Sequence, residues 1–265
     1  MGTIRGQRLT NLALNMIDII DRNLYERSCD VRWWATDSAV VDALERPSTQ
    51  TADHAARRTG VILKSYTVYL DIWVVDANGR VVANGRPDRY GVRGRSVADE
   101  SWFKDAMATR DGNEFAVADV APNEMLNNQP VATYATAIRA GGLENGKPMG
   151  VLGIFFDWAP QSGTVVSSVR LTEEEQLEGR TKCLIVDSQF RILAASDHRY
   201  LLMGRYPIKT DGQDSGFYQA DDGTVVAFAL TPGYETYKGL GWYGLILQRT
   251  PEVEAAWNAS HGGSN

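Results

Sequence analysis

Apolar residues near the start of the chain recur at steps of three and four. This spacing predicts one amphipathic helix over residues 9–44, because residues so spaced share one helix face, while Asp18 and Asp21 fall off it. The apolar positions are Leu9, Leu12, Ala13, Met16, Ile17, Ile20, Leu24, Val31, Trp34, Ala35, Val41 and Leu44. No Gly or Pro interrupts the pattern between Gly6 and Pro47. Such a helix would be roughly 55 Å long, so it should pack along two domains or along a partner.

After a second predicted helix, over residues 51–64, the pattern changes to that of strands. Residues 68–75 are β-branched and aromatic, and the turn sequence DANG then leads into a returning strand at 80–83. A short helix is predicted over 101–108, with Asp99 or Ser101 as its N-cap. Three further strands are predicted over residues 115–120, 131–139 and 149–157. Because hairpin-length links cannot form parallel crossovers, the sheet should be antiparallel, with helices against it.

The first hairpin has a counterpart later in the chain. VDANGRVVA begins at Val75 and VDSQFRILA begins at Val186, an offset of 111 residues. Strands over residues 224–230 and 242–248 follow, and a connecting helix is predicted over 164–177. The sequence therefore predicts an α+β fold with two similar modules in tandem. The boundaries are a helical segment at 1–65, a first module at 66–160, a second at 161–250 and a C-terminal segment at 251–265.

Charge and motif content narrow the possible functions. The chain has 27 Lys+Arg against 33 Asp+Glu, a net charge of -6, which argues against nucleic-acid binding through a basic face. No run of about 18 apolar residues could span a membrane, and no signal peptide is evident. Metalloprotease, Walker-loop and hydrolase motifs are absent, and three scattered histidines offer no metal site. Cys29 and Cys183 favour two separate buried thiols over a long-range disulfide.

The order of these elements resembles the double Cache (dCache) sensor domains of bacterial chemoreceptors and sensor histidine kinases. The segments that carry the resemblance are DVRWWATD at 30–37, VDANGR at 75–80, SWFKDA at 101–106, GVLGI at 150–154 and YKGLGW at 237–242. The resemblance implies a long N-terminal helix followed by two PAS-like Cache modules. Trp33 and Trp34 look like helix-packing residues, of which only one can face a given groove, because adjacent helical positions point about 100° apart.

The resemblance also implies a function. It points to an extracytoplasmic, periplasmic sensor domain of a membrane receptor in chemotaxis or kinase signalling, with no catalytic activity, cofactor or metal. The first, membrane-distal module would hold a small molecule, and the segment at 251–265 would lead back to the membrane through transmembrane helices. The long helix could also pair two copies as a homodimer. A structural dimerisation module without a ligand, and a small enzyme that uses an acidic pocket, remain alternatives.

The ligand residues of amino-acid-binding relatives transfer only in part. Trp102 and Phe103 match the aromatic pair of that family, and Asp105 matches the acid that follows it. Glu100 stands where an Arg would bind the ligand's carboxylate, and Arg95 stands where a Tyr is expected. Phe155 replaces an expected acid. Since Asp157 lies two residues later on the same strand face, it could substitute in part.

The remaining candidates favour a cation. The predicted site combines the aromatic residues Trp102, Phe103 and Tyr134 with the acids Glu100, Asp119 and Asp157. Aromatic faces and carboxylates attract cations, by about 0.5–2 kcal/mol for each ring. An amine or quaternary ammonium ligand is therefore the leading hypothesis, and a planar nitrogen heterocycle such as a purine is its close rival. Trp102 and Phe103 could alternatively be plain core residues.

Overall fold

The structure is a computed structural model that describes residues 2–262. It forms two compact units. The first unit comprises Glu26–Ala159, and the second unit comprises the chain up to Tyr25 together with the part from Pro160 onward. The N-terminal helical segment predicted at 1–65 is thus divided between the two units. Among the described residues, no helix has the length and apolarity needed to cross a lipid bilayer.

The predicted single helix over residues 9–44 is in fact two helices. The observed helices are α1 (Gly2–Trp34), α2 (Ser38–Glu45) and, as predicted in outline, α3 (Thr49–Ser65). Asp37 causes the break, because its side chain accepts a hydrogen bond from the backbone N–H of Ala39 at 3.1 Å and so caps α2. Arg58 of α3 holds the other carboxylate oxygen of Asp37 at 2.8 Å. The apolar spacing of three and four residues continues across this break, so the spacing alone did not predict it.

Two residues of α1 depart from their predicted environments. Asp21, placed off the apolar face, is 1% exposed and accepts hydrogen bonds from Thr231 Oγ1 and the Gly233 N–H. Burial raises the pKa of its carboxyl, against the effect of these two hydrogen bonds. Trp34 is buried as expected, whereas Trp33 is 68% exposed. Adjacent helical positions point about 100° apart, so only one of the two indoles reaches the core.

The first unit contains an antiparallel five-stranded sheet with strand order β2-β1-β5-β4-β3. Its elements are β1 (Tyr69–Asp76), β2 (Val81–Asn84), α4 (Ser101–Met107), β3 (Ala116–Asn123), β4 (Gln129–Arg139) and β5 (Pro148–Asp157). The predicted strands and short helix are all present, with ends shifted by a few residues. The N-cap of α4 is Glu100, not Asp99 or Ser101, and its side chain makes no capping hydrogen bond.

The second unit repeats this sheet with strand order β7-β6-β10-β9-β8. Its strands are β6 (Thr181–Val186), β7 (Ile192–Ala195), β8 (Ser215–Gln219), β9 (Val225–Leu230) and β10 (Tyr243–Gln248). The edge strand β8 was not predicted from the sequence, because its apolar residues are few and largely solvent-facing. The connecting helix predicted over 164–177 is two helices, α5 (Trp158–Ser167) and α6 (Glu173–Glu178), and α7 (Pro251–His261) ends the described chain.

Matching turns confirm the internal repeat. Asp76 Oδ1 accepts hydrogen bonds from the N–H groups two and four residues later, at 2.9 and 3.0 Å. Asp187 Oδ1 does the same, at 2.9 Å to each. Strand pairing also shifts register one residue before each aspartate, between Val74 and Val75 in β1 and between Ile185 and Val186 in β6. Both aspartates therefore stabilise the same bulged hairpin.

The two cysteines are free thiols, as the favoured prediction had it, and the disulfide alternative is wrong. Cys183 is buried, and its burial raises the pKa of the thiol to about 12. Cys29 is only partly buried, in contrast to its predicted environment.

Candidate functional site

One face of the first unit's sheet contains a cavity of about 210 Å³, which we call the acidic cavity. It lies between the sheet, helix α4 and the loop that joins β3 to β4. The residues that line it are Trp73, Val97, Glu100, Trp102, Ala118, Asp119, Ala121, Pro122, Asn123, Glu124, Met125, Val131 and Thr133. Strand residues, a short helix and a loop thus converge on one concave surface, as in most small-molecule sites.

Two tryptophans form the apolar wall of the acidic cavity. Trp73 comes from β1 and Trp102 from α4, and their ring centroids are 6.4 Å apart. Phe155 of β5 supports both, with its ring 4.1 Å from Trp73 and 5.8 Å from Trp102. Gly153 permits this packing, because a Cβ there would lie 3.2 Å from the Trp102 ring. The hydrophobic core, through Phe155, therefore holds both tryptophan rings of this wall in place.

A buried carboxylate holds Trp73 in place. Asp71 is 0% exposed, and its Oδ2 accepts hydrogen bonds from Trp73 Nε1 and Asn84 Nδ2, both at 2.9 Å. Its Oδ1 accepts from the N–H groups of Ile72 and Arg86 at 2.9 and 3.0 Å. Desolvation raises the pKa of Asp71, while these hydrogen bonds act in the opposite direction. Asp71 is thus a positioning residue for the cavity wall.

Asp71 and Trp73 were not among the site residues predicted from the sequence. The available signal was an aspartate in the middle of an otherwise apolar strand, at residues 68–75. Buried carboxylates are rare unless they are fully hydrogen-bonded, so this position already indicated a specific polar network.

Three carboxylates line the acidic cavity, from Glu100, Asp119 and Glu124. Glu100 and Glu124 are exposed, and Asp119 is half-buried with its Oδ1 accepting the Val120 N–H at 2.7 Å. Among residues 2–262, no Lys, Arg or His lines this cavity. The potential in it is therefore negative, which favours a cation over an anion.

The structure brings only part of the predicted site together. Glu100, Trp102 and Asp119 line the cavity. Phe155 is fully buried behind the two tryptophans, and Phe103 is 6% exposed in the same hydrophobic core as Trp102. Neither phenylalanine lines the cavity.

The other three predicted residues lie elsewhere. Tyr134 pairs with Ile154 of the neighbouring strand and directly follows the cavity residue Thr133 in β4. Because successive strand residues point to opposite faces, the Tyr134 side chain lies on the sheet face away from the cavity. Its ring neighbour there is Phe115, with the ring centroids 6.4 Å apart. Asp157 pairs with Val131 and so shares the cavity's face, but it lies beyond the lining.

Asp157 and Arg95 both lie outside the cavity, in different environments. Burial raises the pKa of the Asp157 carboxyl, and the positive charges of Arg89 and Arg86 partly offset this. Arg95 is exposed and outside the cavity, and its backbone carbonyl accepts the Val81 N–H at 2.9 Å. Within the described chain, no group of three His, Cys, Asp or Glu side chains could hold a metal ion.

Solved structures with the same fold include three bacterial sensor domains. The sensor domain of the V. cholerae histidine kinase DctB has a TM-score of 0.66 at 15% identity, with 92% of this chain and 98% of that chain covered. The ligand-binding domain of the Pseudomonas fluorescens chemoreceptor CtaA, in complex with L-serine, has a TM-score of 0.63 at 18% identity, with coverages of 92% and 96%. That of the Pseudomonas aeruginosa amino acid chemoreceptor PctC, in complex with GABA, has a TM-score of 0.65 at 17% identity, with coverages of 91% and 98%.

A family model gives the more direct assignment. Among curated protein sequences, none matches this chain. The dCache_1 model, described as a Cache domain, matches residues 7–257 and so nearly the whole sequence. The two sheets of equal strand order are the two PAS-like modules that the resemblance implied. The chain therefore belongs to the double Cache family of sensor domains.

Proposed function

We propose that this chain is a sensor domain that binds a small amine or quaternary ammonium cation in the acidic cavity. The observation that carries the proposal is the lining itself, with two tryptophans, three carboxylates and no basic side chain among the described residues. A cation there gains both charge neutralisation and attraction to the indole faces. The family assignment supports binding of a ligand in preference to catalysis.

The relatives' ligands sharpen the choice of ligand class. L-Serine in CtaA and GABA in PctC each carry an ammonium group and a carboxylate. The acidic cavity has partners for the ammonium group. No arginine of the described chain lines it to bind a carboxylate, and a carboxylate would meet three like charges. We therefore propose a ligand that has the ammonium group without the carboxylate.

Isothermal titration of the purified domain tests this proposal. The probes are ethanolamine and choline for the amine class, L-serine and GABA for amino acids, and adenine for planar heterocycles. We expect saturable binding of an amine only. Binding of amino acids alone, or of adenine alone, would contradict the amine proposal, and the absence of binding by all five would contradict the sensor proposal.

Charge variants locate the site. Glu100→Gln and Asp119→Asn should each weaken amine binding by about five-fold, because a partly exposed charge pair contributes on the order of 1 kcal/mol. Asp105→Asn is the matched control, since Asp105 is exposed on α4 but does not line the cavity. Equal affinities of all three variants would place the ligand elsewhere.

We also propose that the chain forms the extracytoplasmic part of a bacterial inner-membrane receptor, with the first unit as the membrane-distal module. Its support is the family, whose solved relatives include sensor domains of a histidine kinase and of chemoreceptors. Reporter fusions to the native gene, read for periplasmic against cytoplasmic activity, test the location. Cytoplasmic activity at both ends of this segment would contradict it.

A second copy of the chain is the proposed protein partner. Four large apolar side chains of α1 stay exposed, those of Ile4, Leu14, Ile19 and Trp33, at 81%, 41%, 45% and 68%. Exposed apolar residues on one helix favour association with another surface. Sedimentation equilibrium should show a dimer that Ile19→Glu dissociates, and a monomer at all concentrations would contradict this assignment.

A further inference from the structure

A second cavity of the first unit has the opposite charge. It measures about 160 Å³ and is lined by the end of α1, the turn after β4 and the loop between α4 and β3. Among the described residues, two arginines, Arg32 and Arg139, line it together with a single acid, Glu144, and otherwise neutral residues. We call it the arginine cavity.

Arg139 is a buried cation for which residues 2–262 supply no anionic partner. Its side chain is 5% exposed, and it donates three hydrogen bonds, all to neutral oxygens. Nη1 donates to the Gly146 carbonyl at 3.0 Å, and Nη2 donates to the carbonyl and hydroxyl oxygens of Thr109 at 2.7 and 3.0 Å. Its Nε–H is buried and has no partner within residues 2–262.

The nearby acids do not neutralise Arg139. Glu114 is bound by Arg110 at 3.1 Å, and this contact lowers the pKa of Glu114 more than the charge of Arg139 does. Glu144 is exposed and accepts a hydrogen bond from Asn113. Buried charges are normally paired, because an unpaired buried ion loses its hydration without compensation. An anion bound beside Arg139 would account for both the free Nε–H and the missing counter-charge.

Arg32 provides a second positive group at the same cavity. Its Nε donates to the Ser28 carbonyl at 2.9 Å and its Nη1 to the Asn113 carbonyl at 3.3 Å, so it too is bound to neutral acceptors. The side chain is half-buried and lies over the Phe115 ring, with Cζ 5.3 Å from the centroid. Two guanidinium groups with neutral partners suit an anion through charge-assisted hydrogen bonds.

We propose that the arginine cavity binds a small anion, such as a carboxylate, phosphate or chloride, through the free Nε–H of Arg139 and the charge of Arg32. The site is separate from the acidic cavity. Arg139 also holds Thr109, two residues after α4, so a bound anion would stabilise the segment that follows this helix. The proposal does not depend on the nature of the ligand in the acidic cavity.

The Nε–H resonance of Arg139 reports on the anion directly. The ¹⁵N-labelled domain is titrated with sodium acetate, sodium phosphate and sodium chloride in separate series, with ionic strength kept constant by a bulky sulfonate buffer. We expect one buried arginine Nε–H resonance to shift saturably, with a Kd in about the millimolar range. Arg139→Lys, which keeps the charge but lacks Nε, assigns this resonance by its loss. The three series distinguish an organic carboxylate from an inorganic anion.

Two further variants keep the test independent of folding at position 139. Arg32→Gln removes a half-buried charge and should weaken anion binding by about five-fold while the Arg139 resonance remains visible. Arg57→Gln is the matched control, because Arg57 is exposed and does not line the cavity. An Arg139 resonance that does not move with any of the three anions, or an equal affinity in Arg32→Gln and Arg57→Gln, would overturn the proposal.

Discussion

Trp102 should contribute both to the stability of the first unit and to ligand binding. Its side chain is 5% exposed and packs against Trp73 and Phe155. A buried tryptophan removes roughly 150–250 Å² from water. At about 25 cal/mol per Å² this corresponds to about 4–6 kcal/mol, an upper estimate since the unfolded chain is partly compact. We therefore expect Trp102→Ala to lower the free energy of unfolding by about 4 kcal/mol, within the range for such truncations.

The conservative variant separates stability from binding. Trp102→Phe keeps an aromatic face at the cavity and should lose only about 1–2 kcal/mol of stability, because most of the buried surface remains. Cation–π attraction of about 0.5–2 kcal/mol predicts that Trp102→Ala weakens amine binding by roughly 2- to 30-fold. Trp102→Phe should bind within a few-fold of the wild-type chain. Binding is measured by titration calorimetry at a temperature where both variants are folded.

Urea denaturation followed by circular dichroism measures the stability loss. Trp33→Ala is the matched control, since it also removes one of the chain's seven tryptophans but from a site that is 68% exposed. Exposed substitutions of this kind change stability by only about 0.5 kcal/mol. If Trp102→Ala and Trp33→Ala unfold at the same urea concentration with equal slopes, Trp102 is not part of the core and the argument fails.

Three other expectations concern backbone space, acid stability and thiol reactivity. Gly163→Ala in α5 should raise the free energy of unfolding by about 0.5–1 kcal/mol, because its Cβ would meet no atom of the described residues within 4 Å. Gly150→Ala should lower the free energy of unfolding, because its Cβ would clash with a carbonyl oxygen of β1. Urea midpoints that move in the same direction for both variants would contradict these two expectations. Hydrogen bonds from Arg199 lower the pKa of the Asp197 carboxyl. The stability that this carboxylate contributes to the folded state is therefore present above about pH 4 and is lost as the pH falls further. A difference in unfolding free energy between wild type and Asp197→Asn that grows on acidification would contradict this expectation. Burial and the raised pKa should keep Cys183 unlabelled by Ellman's reagent in the native protein while Cys29 reacts, and equal labelling rates would refute it.

The repeat and the sheet were predictable because both are encoded locally. Asp76 and Asp187 each accept two backbone N–H groups within four residues, so the turn depends on a short stretch of sequence. The break in the first helix was local as well, since Asp37 is a good N-cap. It was missed because the apolar period gave the same steps on both sides of it. In this chain, the N-capping residue therefore predicted the start of a new helix better than the spacing of the apolar residues did.

The site was less predictable because its geometry depends on contacts between distant segments. Alternation along β4 places Thr133 and Tyr134 on opposite faces, but only the packing of α4 decides which face carries the cavity. Asp71 likewise looks like an outlier in an apolar strand until Asn84 and Arg86, more than ten residues later, supply its donors. A family pattern does not encode such partners. Tyr134 was therefore assigned to a surface on which its side chain does not lie.

The opposite charges of the two cavities bear on what a single ligand could be. An amino acid needs its ammonium group and its carboxylate satisfied together. In the first unit, three carboxylates line one cavity, whereas two arginines and one carboxylate, that of Glu144, line the other among the described residues. Separate ligands of opposite charge are the simpler fit to this arrangement. Helix α4 is near both, because Trp102 lines the acidic cavity and Thr109, just after the helix, is bound by Arg139. If anion and amine binding are coupled, linkage requires the effect of each on the other's affinity to be equal, so titrating either ligand in the presence of the other measures the same coupling free energy.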